Sequence, residues 1–174
     1  MTQYLTSDSI RLRAIEPYDV DFILRTENDS RVWEGTDTVA PFSRALLNQY
    51  VGNYNPDIFA AKVLLLIIED VRTGERLGMV NFYDFDAVNR RVYVGYMVDE
   101  QFRGHGIATG ALALAVAYCR DYLGVHQMSA IVAFDNTPSR RLLESSGFTV
   151  SGRLKSWFAR GRSYADAYIY QRLF

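Results

Sequence analysis

The sequence predicts an α+β fold, a mixed and mostly antiparallel twisted sheet with helices on both faces. Three observations carry it. Residues 77–86 and 91–98 read as two long strands joined by Ala87-Val88-Asn89-Arg90, hence an antiparallel hairpin. Residues 107–122 are rich in alanine and read as a helix buried on most sides. Beyond it the chain returns to strand patterns that end in a hairpin with its turn at Gly161-Arg162. The 174 residues are about one domain's worth, and no linker, repeat or low-complexity tract divides them, so residues 1–174 are read as one unit.

In chain order, residues 9–15 (SIRLRAI) alternate apolar and charged side chains, as a half-buried first strand does. Pro17 opens a helix whose apolar side is Val20, Phe22, Ile23 and Leu24, and the polar stretch 26–30 ends it. Ser43 is the N-cap of a second helix reaching Gly52. Residues 63–69 (VLLLIIE) suit a central strand, followed by a turn at Thr73-Gly74. In the long hairpin Val92, Val94, Tyr96 and Val98 share one face, and Gly95 leaves a gap on the other where a backbone or ligand can approach. Further strands are expected over 127–133, 148–154, 157–160 and 164–172, with a short helix over 138–146 closed by Gly147.

Composition narrows the function. Hydrophobic residues make up 49% and charged residues 22%, which excludes disordered and fibrous classes. The longest uninterrupted apolar stretch, 111–119, is nine residues, against the roughly 20 that a membrane-spanning helix needs. The start, MTQYLTSDSI, lacks a basic flank followed by an apolar stretch, so no secretory signal is expected. Cys119 is the one cysteine, and a cytoplasmic location is the default expectation. A net charge of −1 argues against a nucleic-acid partner. That average hides a split: residues 1–102 carry 10 Lys/Arg and 16 Asp/Glu, residues 103–174 carry 9 and 4. The split suits two ligands of opposite sign, although uneven charge on solvated faces is the simpler account.

The most informative stretch is Asp99-Glu-Gln-Phe-Arg103-Gly104-His105-Gly106-Ile107-Ala108-Thr109-Gly110. A strand ends, glycines remove side chains and a helix begins, so unpaired N–H groups and the positive end of a helix dipole converge on one spot. That is an anion cradle, with Arg103 adding a full charge at its rim. The spacing Gly104-x-Gly106-x-x-x-Gly110 comes close to a dinucleotide fingerprint, with Asp135 in the place of a ribose-binding acid. However, the preceding strand belongs to an antiparallel hairpin, and only 71 residues remain from Gly104 onward, too few for the rest of a doubly wound sheet.

The pattern Arg103-x-x-Gly106-x-Ala108 resembles the acetyl-CoA pyrophosphate loop of the GNAT acetyltransferase superfamily, Arg/Gln-x-x-Gly-x-Gly/Ala. A second block, Asn136-Thr-Pro-Ser139-Arg-Arg141 through Gly147-Phe148, resembles that family's Asn-x-x-Ser/Ala helix ending in Gly-Phe. Ile10-Arg-Leu-Arg-Ala-Ile-Glu-Pro17 at the front, Tyr93-Val-Gly95-Tyr-Met at the centre, and Gly152-x-Leu154 with Tyr164-x-Asp166 at the end resemble the branch holding ribosomal-protein N-terminal and spermidine/diamine acetyltransferases.

The resemblance implies a sheet splayed at its centre, with pantetheine lying between the strand that ends near Val98 and the one that starts near Gln127. It implies acetyl-CoA as co-substrate, held by the loop Arg103, Gly104, His105, Gly106, Ile107, Ala108 and Thr109, and by Asn136, Ser139 and Arg141. A backbone N–H of Met97 or Val98 would stabilise the oxyanion. The implied acceptor is a primary amine, of a polyamine or of a basic peptide N-terminus. Such an amine, with a pKa near 10, is about one-thousandth neutral at pH 7, so a base is needed.

Asp84 is the first candidate base, because Val80, Phe82, Asp84 and Asp86 alternate on one strand face, and Glu34 is the second, as base or as anionic contact for a cation. Many family members protonate the leaving thiolate from a tyrosine seven residues after the Asn. Leu143 stands there, and Ser139 or a water molecule is the replacement candidate. The histidines His105 and His126 make no metal site with neighbouring acids or cysteines, so no metal is expected. Trp33, Trp157 and Phe158 either wall an acceptor pocket or serve the core. A CoA-binding module without catalysis is the alternative, and homo-oligomerisation is left open.

Overall fold

The computed structural model describes residues 3–29 and 40–174. Strand β1 (Ile10–Ala14) is followed by a 3-10 turn (Pro17–Asp19), helices α1 (Val20–Glu27) and α2 (Arg44–Gly52), and a one-turn helix α3 (Ile58–Ala61). Next come β2 (Leu64–Asp70), β3 (Arg76–Asp86) and β4 (Arg91–Val98), a second 3-10 turn (Glu100–Phe102) and α4 (Ile107–Ala117). The chain closes with β5 (Gln127–Ala133), α5 (Thr137–Ser145), β6 (Thr149–Arg160) and β7 (Ser163–Leu173).

Among the described residues these strands form one sheet in the order β1-β2-β3-β4-β5-β7-β6. Every neighbouring pair is antiparallel except β4 and β5. That parallel pair is short. It holds only from Arg91↔Gln127 to Tyr93↔Ser129, after which β4 runs on to Val98 and β5 to Ala133 without partnering each other. Residues 127–133 pair with β7 throughout. The sheet is therefore continuous at its two halves and split between them.

Alternation on the strands fills both faces. Leu12, Leu66, Ile68, Val80, Phe82, Val92 and Val94 pack under α4, whose Ala111, Leu112, Ala115 and Val116 are buried. On the other face Ile67 and Met79 meet Phe22 and Ile23 of α1 and Leu47 and Val51 of α2. Ser43 caps α2 as the sequence predicts, its side chain accepting from the Leu46 N–H at 3.1 Å.

Three expectations need correction. The helix over 107–122 is α-helical only to Ala117. Residues 118–122 form a π-turn in which the Leu123 N–H donates to the Tyr118 carbonyl at 3.0 Å, and Tyr118 stacks on Tyr122. The strands expected over 148–154 and 157–160 are one strand, β6. Bulges between Val150 and Gly152 and between Leu154 and Phe158 absorb the extra residues, helped by Ser156 at φ 50° donating its N–H to Asp166.

The third correction concerns Asp84. The alternation on β3 fails after Phe82, because a bulge between Tyr83 and Asp86 puts Asp84 at φ 51°, exposed to solvent. Phe85 takes the inward position instead. It is buried edge-on against Phe59 of α3, a helix that the sequence reading missed, and its N–H donates to the Lys62 carbonyl at 3.1 Å.

Candidate active site

The split in the sheet becomes a cleft because its two rims are chemically unlike. On the β4 rim, the Asp99 N–H donates to the Leu77 carbonyl of β3 at 2.9 Å. Backbone polar groups alternate sides along a strand, so the Met97 N–H and C=O also face β3, whereas those of Val98 and Tyr96 face the split. The Val98 carbonyl does so: Arg103 Nε donates to it at 3.1 Å. Of the two residues singled out as oxyanion donors, Val98 aims its amide into the cleft, and Met97 spends its amide on the β3 ladder.

This edge of β4 depends on a glycine that sequence reasoning passed over. Gly78 lies opposite Val98, and a Cβ there would stand 2.1 Å from the Met97 carbonyl oxygen and 3.0 Å from Val98 Cα. Backbone atoms cannot yield as a side-chain tip can. Gly78→Ala is expected to displace the Met97–Val98 segment, to lower stability by about 1–3 kcal/mol, and to weaken acetyl-CoA binding as well. Thermal melting with and without acetyl-CoA checks it. Gly95 differs, since its Cβ would meet only Tyr83 at 3.8 Å, so the gap there is real space.

Past Val98 the chain makes the predicted glycine turn into a helix start. Asp99 caps the 3-10 turn, Arg103 is extended, and Gly104 and Gly106 are both left-handed, at φ 79° and 77°. Gly106 is the N-cap of α4 and, having no side chain, makes no capping hydrogen bond. The first intrahelical donor is the Gly110 N–H, to the Gly106 carbonyl at 3.0 Å, so the amides of Ile107, Ala108 and Thr109 are the unpaired start of the helix. Gly104, His105, Gly106 and Thr109 are exposed, and Ile107 and Ala108 are half-buried.

The second rim is α5. Asn136 caps it, its Oδ1 accepting from the Ser139 N–H at 3.2 Å, and Arg141 is exposed on it. Leu143 is fully buried in the core, so this position presents nothing to the cleft. Ser139 is half-buried, and its hydroxyl lies 2.7 Å from the hydroxyl of Tyr96, which reaches it from β4. Sequence reasoning placed Tyr96 on the face it shares with Val92, Val94 and Val98 but named no partner for its hydroxyl. The available signal was that a buried tyrosine hydroxyl nearly always finds one.

At the mouth of the cleft, Arg25, Thr26 and Asp29 of the α1 end, Met97 and Asp99 at the β4 end, and Glu100 and Arg103 line a small pocket. Arg25 is paired with Asp99 at 2.7 Å, which ties α1 to the loop. Cys119 is fully buried, and burial pushes its thiol well above the ordinary thiol range, which suits a core residue rather than a nucleophile.

The two candidate bases fare differently. Tyr83 pairs with Tyr93, and Met79 with Met97. Asp84, one residue past Tyr83, is therefore separated from the Met97–Val98 segment by four strand residues or more, roughly 13 Å. The structure does not bring it to that segment. Glu34, like Trp33, lies outside the described residues. Trp157 is exposed. Among the described residues no group of three or more His, Cys, Asp or Glu is placed to hold a metal ion, and no helix is long and apolar enough to cross a membrane.

Comparison with known proteins follows the same geometry. Residues 9–149 match the model of the acetyltransferase (GNAT) domain. The putative ribosomal N-acetyltransferase YdaF of Bacillus subtilis (strain 168) is 24% identical over 175 residues, covering 96% of this chain and 92% of the relative. The spermidine N(1)-acetyltransferase of Escherichia coli (strain K12) is 23% identical over 167 residues, covering 93% and 84%. Among solved structures, spermidine N-acetyltransferase from Vibrio cholerae, in complex with CoA and spermine, superposes with a TM-score of 0.85 at 23% identity over 96% of each chain.

Proposed function

The chain belongs to the GNAT acetyltransferase family and takes its acetyl group from acetyl-CoA, and from that premise we propose that it acetylates a cationic primary amine by direct attack in a ternary complex. The acceptor is a polyamine or a basic protein N-terminus. What supports this most is one conjunction: a cleft between β4 and β5 that opens beside the uncapped start of α4.

The amides of residues 106–109, with the backbone of Gly104 and His105 shaping the turn, hold the diphosphate, and Arg103 adds charge. Asn136 and Arg141 serve the pantetheine and adenosine end. Pantetheine lies along β4, where Gly95 leaves room, and the Val98 amide stabilises the carbonyl oxygen as it gains charge. The nitrogen attacks the carbonyl carbon, the C–S bond breaks, and Ser139 protonates the sulfur. Among the described residues the carboxylates of Asp29, Asp99 and Glu100 line the mouth, a lining that suits a cationic acceptor. The amine's proton goes to Glu34 in preference to Asp84, given the distance of Asp84 from Val98.

Turnover of a panel of polyamines and basic N-terminal peptides tests the proposal. At least one class is expected to be acetylated, Glu34→Gln to slow it about 100-fold at neutral pH, and Asp84→Asn to leave it unchanged. Acetyl-CoA that stabilises the fold while no amine in the panel reacts would overturn the acceptor assignment. A slow D84N with an unaffected E34Q would exchange the two bases.

A further inference from the structure

Leu143, seven residues after Asn136, is fully buried among apolar neighbours and offers the cleft no proton. Yet the cleft does contain a phenol. Tyr96 enters from the opposite rim, three residues beyond the last β4 residue that pairs with β5, and its hydroxyl lies 2.7 Å from Ser139 Oγ and 3.4 Å from the Ser139 carbonyl. The bond joins β4 to the first turn of α5 across the split.

Resting on the assignment of Ser139 to the leaving sulfur, we propose that Tyr96 is the proton source behind Ser139, a positioning residue that turns the serine hydroxyl into a working acid. A serine hydroxyl alone is a poor donor, since its alkoxide is far more basic than a thiolate. A phenol is the better acid by several orders of magnitude. As the C–S bond breaks and its electron pair moves to sulfur, the Ser139 proton passes to sulfur and the Tyr96 proton passes to Ser139 Oγ. The ammonium gives up two protons on its way to the amide, the first to Glu34 before attack and the second, after attack, back to the phenol, so nothing is consumed.

The surroundings suit the role. Burial, before any other influence, holds the Tyr96 phenol above its ordinary range, the Ser139 hydrogen bond opposes this, and the neighbouring phenol of Tyr170 adds to it. Tyr96 therefore keeps its proton at neutral pH, as a donor standing behind Ser139 must. Tyr170 is itself engaged, donating to Glu144 at 2.7 Å and accepting from Arg140 at 3.3 Å. Of these hydroxyls, that of Tyr96 is the one bonded to Ser139.

The test needs no acceptor amine. CoA is bound to the wild type, Tyr96→Phe and Ser139→Ala, and the thiol of the bound CoA is titrated by its thiolate ultraviolet absorbance. Both variants are expected to titrate higher by about one unit, a tenfold change in proton affinity, and Tyr96→Phe to bind CoA nearly as the wild type does. With any amine that is turned over, Y96F is expected to lower kcat about 100-fold with an unchanged KM for acetyl-CoA. Identical thiol titration in all three proteins, or a Y96F defect confined to melting temperature and CoA affinity, would reduce the bond to a structural clamp and overturn the inference. Failure of CoA to bind the wild type would instead remove the coenzyme assignment, and the relay with it.

Discussion

Asp19→Ala is expected to destabilise the protein by about 3–5 kcal/mol, the range for removing one partner of a buried ion pair. Asp19 has no exposed surface, and its carboxylate accepts from Arg13 at 2.7 and 2.9 Å, from Arg76 at 2.7 Å, and from the Glu16 N–H at 2.9 Å. Arg13, only 8% exposed, also donates to Glu69, which takes Arg11 as well. The aspartate thus binds β1, the start of β3 and the turn leading into α1. Its removal leaves the buried Arg13 with one of its two carboxylates.

The sign of the pH effect follows from the same contacts. Burial alone would raise the Asp19 carboxyl, but the hydrogen bonds from Arg13, Arg76 and the Glu16 amide outweigh it and hold the group below its ordinary range. Glu69 is likewise raised by burial and held low on balance by Arg13 and Arg11. A group whose folded pKa is depressed adds stability that is complete above its unfolded value, about 4, and is lost as pH falls through the folded value. Urea unfolding of wild type and D19A should therefore differ most at neutral pH and converge below about pH 4. A difference under about 1 kcal/mol at pH 7, the level of an exposed pair, would show that the network contributes little.

What could be read from the sequence, and what could not, divides by the range of the interaction. The α4 cradle was legible because glycines, an arginine and a helix start sit within a dozen residues. Likewise the Ser43 cap and the β3–β4 hairpin are written in neighbours. Asp84 was misplaced because the event that displaces it is distant: Phe85 is drawn inward by Phe59 and the Lys62 carbonyl, which belong to a one-turn helix and its C-cap, a segment with almost no periodic signal. Gly78 looked like one glycine among many until the Met97 carbonyl came within 2.1 Å of its missing side chain. Tyr96 and Ser139 lie 43 positions apart and meet only because the sheet splits between them. The side chains that meet at the cleft are thus mostly tertiary facts, whereas the glycine turn into α4 is a local one.

Gly106→Val puts that local end to the test, and acetyl-CoA affinity is expected to fall about 10- to 100-fold. The residue is left-handed, at φ 77°, ψ 0°, a conformation that costs an L-residue about 1–2 kcal/mol and suits a β-branched one least. A Cβ there would meet nothing within 4 Å, so packing does not forbid the change and the loss must come from the backbone and from the ligand side. Either the loop relaxes and the amides that follow it turn away, or it holds and an isopropyl group stands over the helix start. Each outcome removes hydrogen bonds to a charged diphosphate, worth about 1.5–3 kcal/mol apiece. Isothermal titration with acetyl-CoA reads the affinity, and melting of the free protein separates it from any loss of fold. A G106V variant that binds acetyl-CoA as tightly as the wild type would mean that the diphosphate sits elsewhere. The Val98 amide and Ser139, which are useful only if the coenzyme enters from this end of β4, would then have no common substrate to act on.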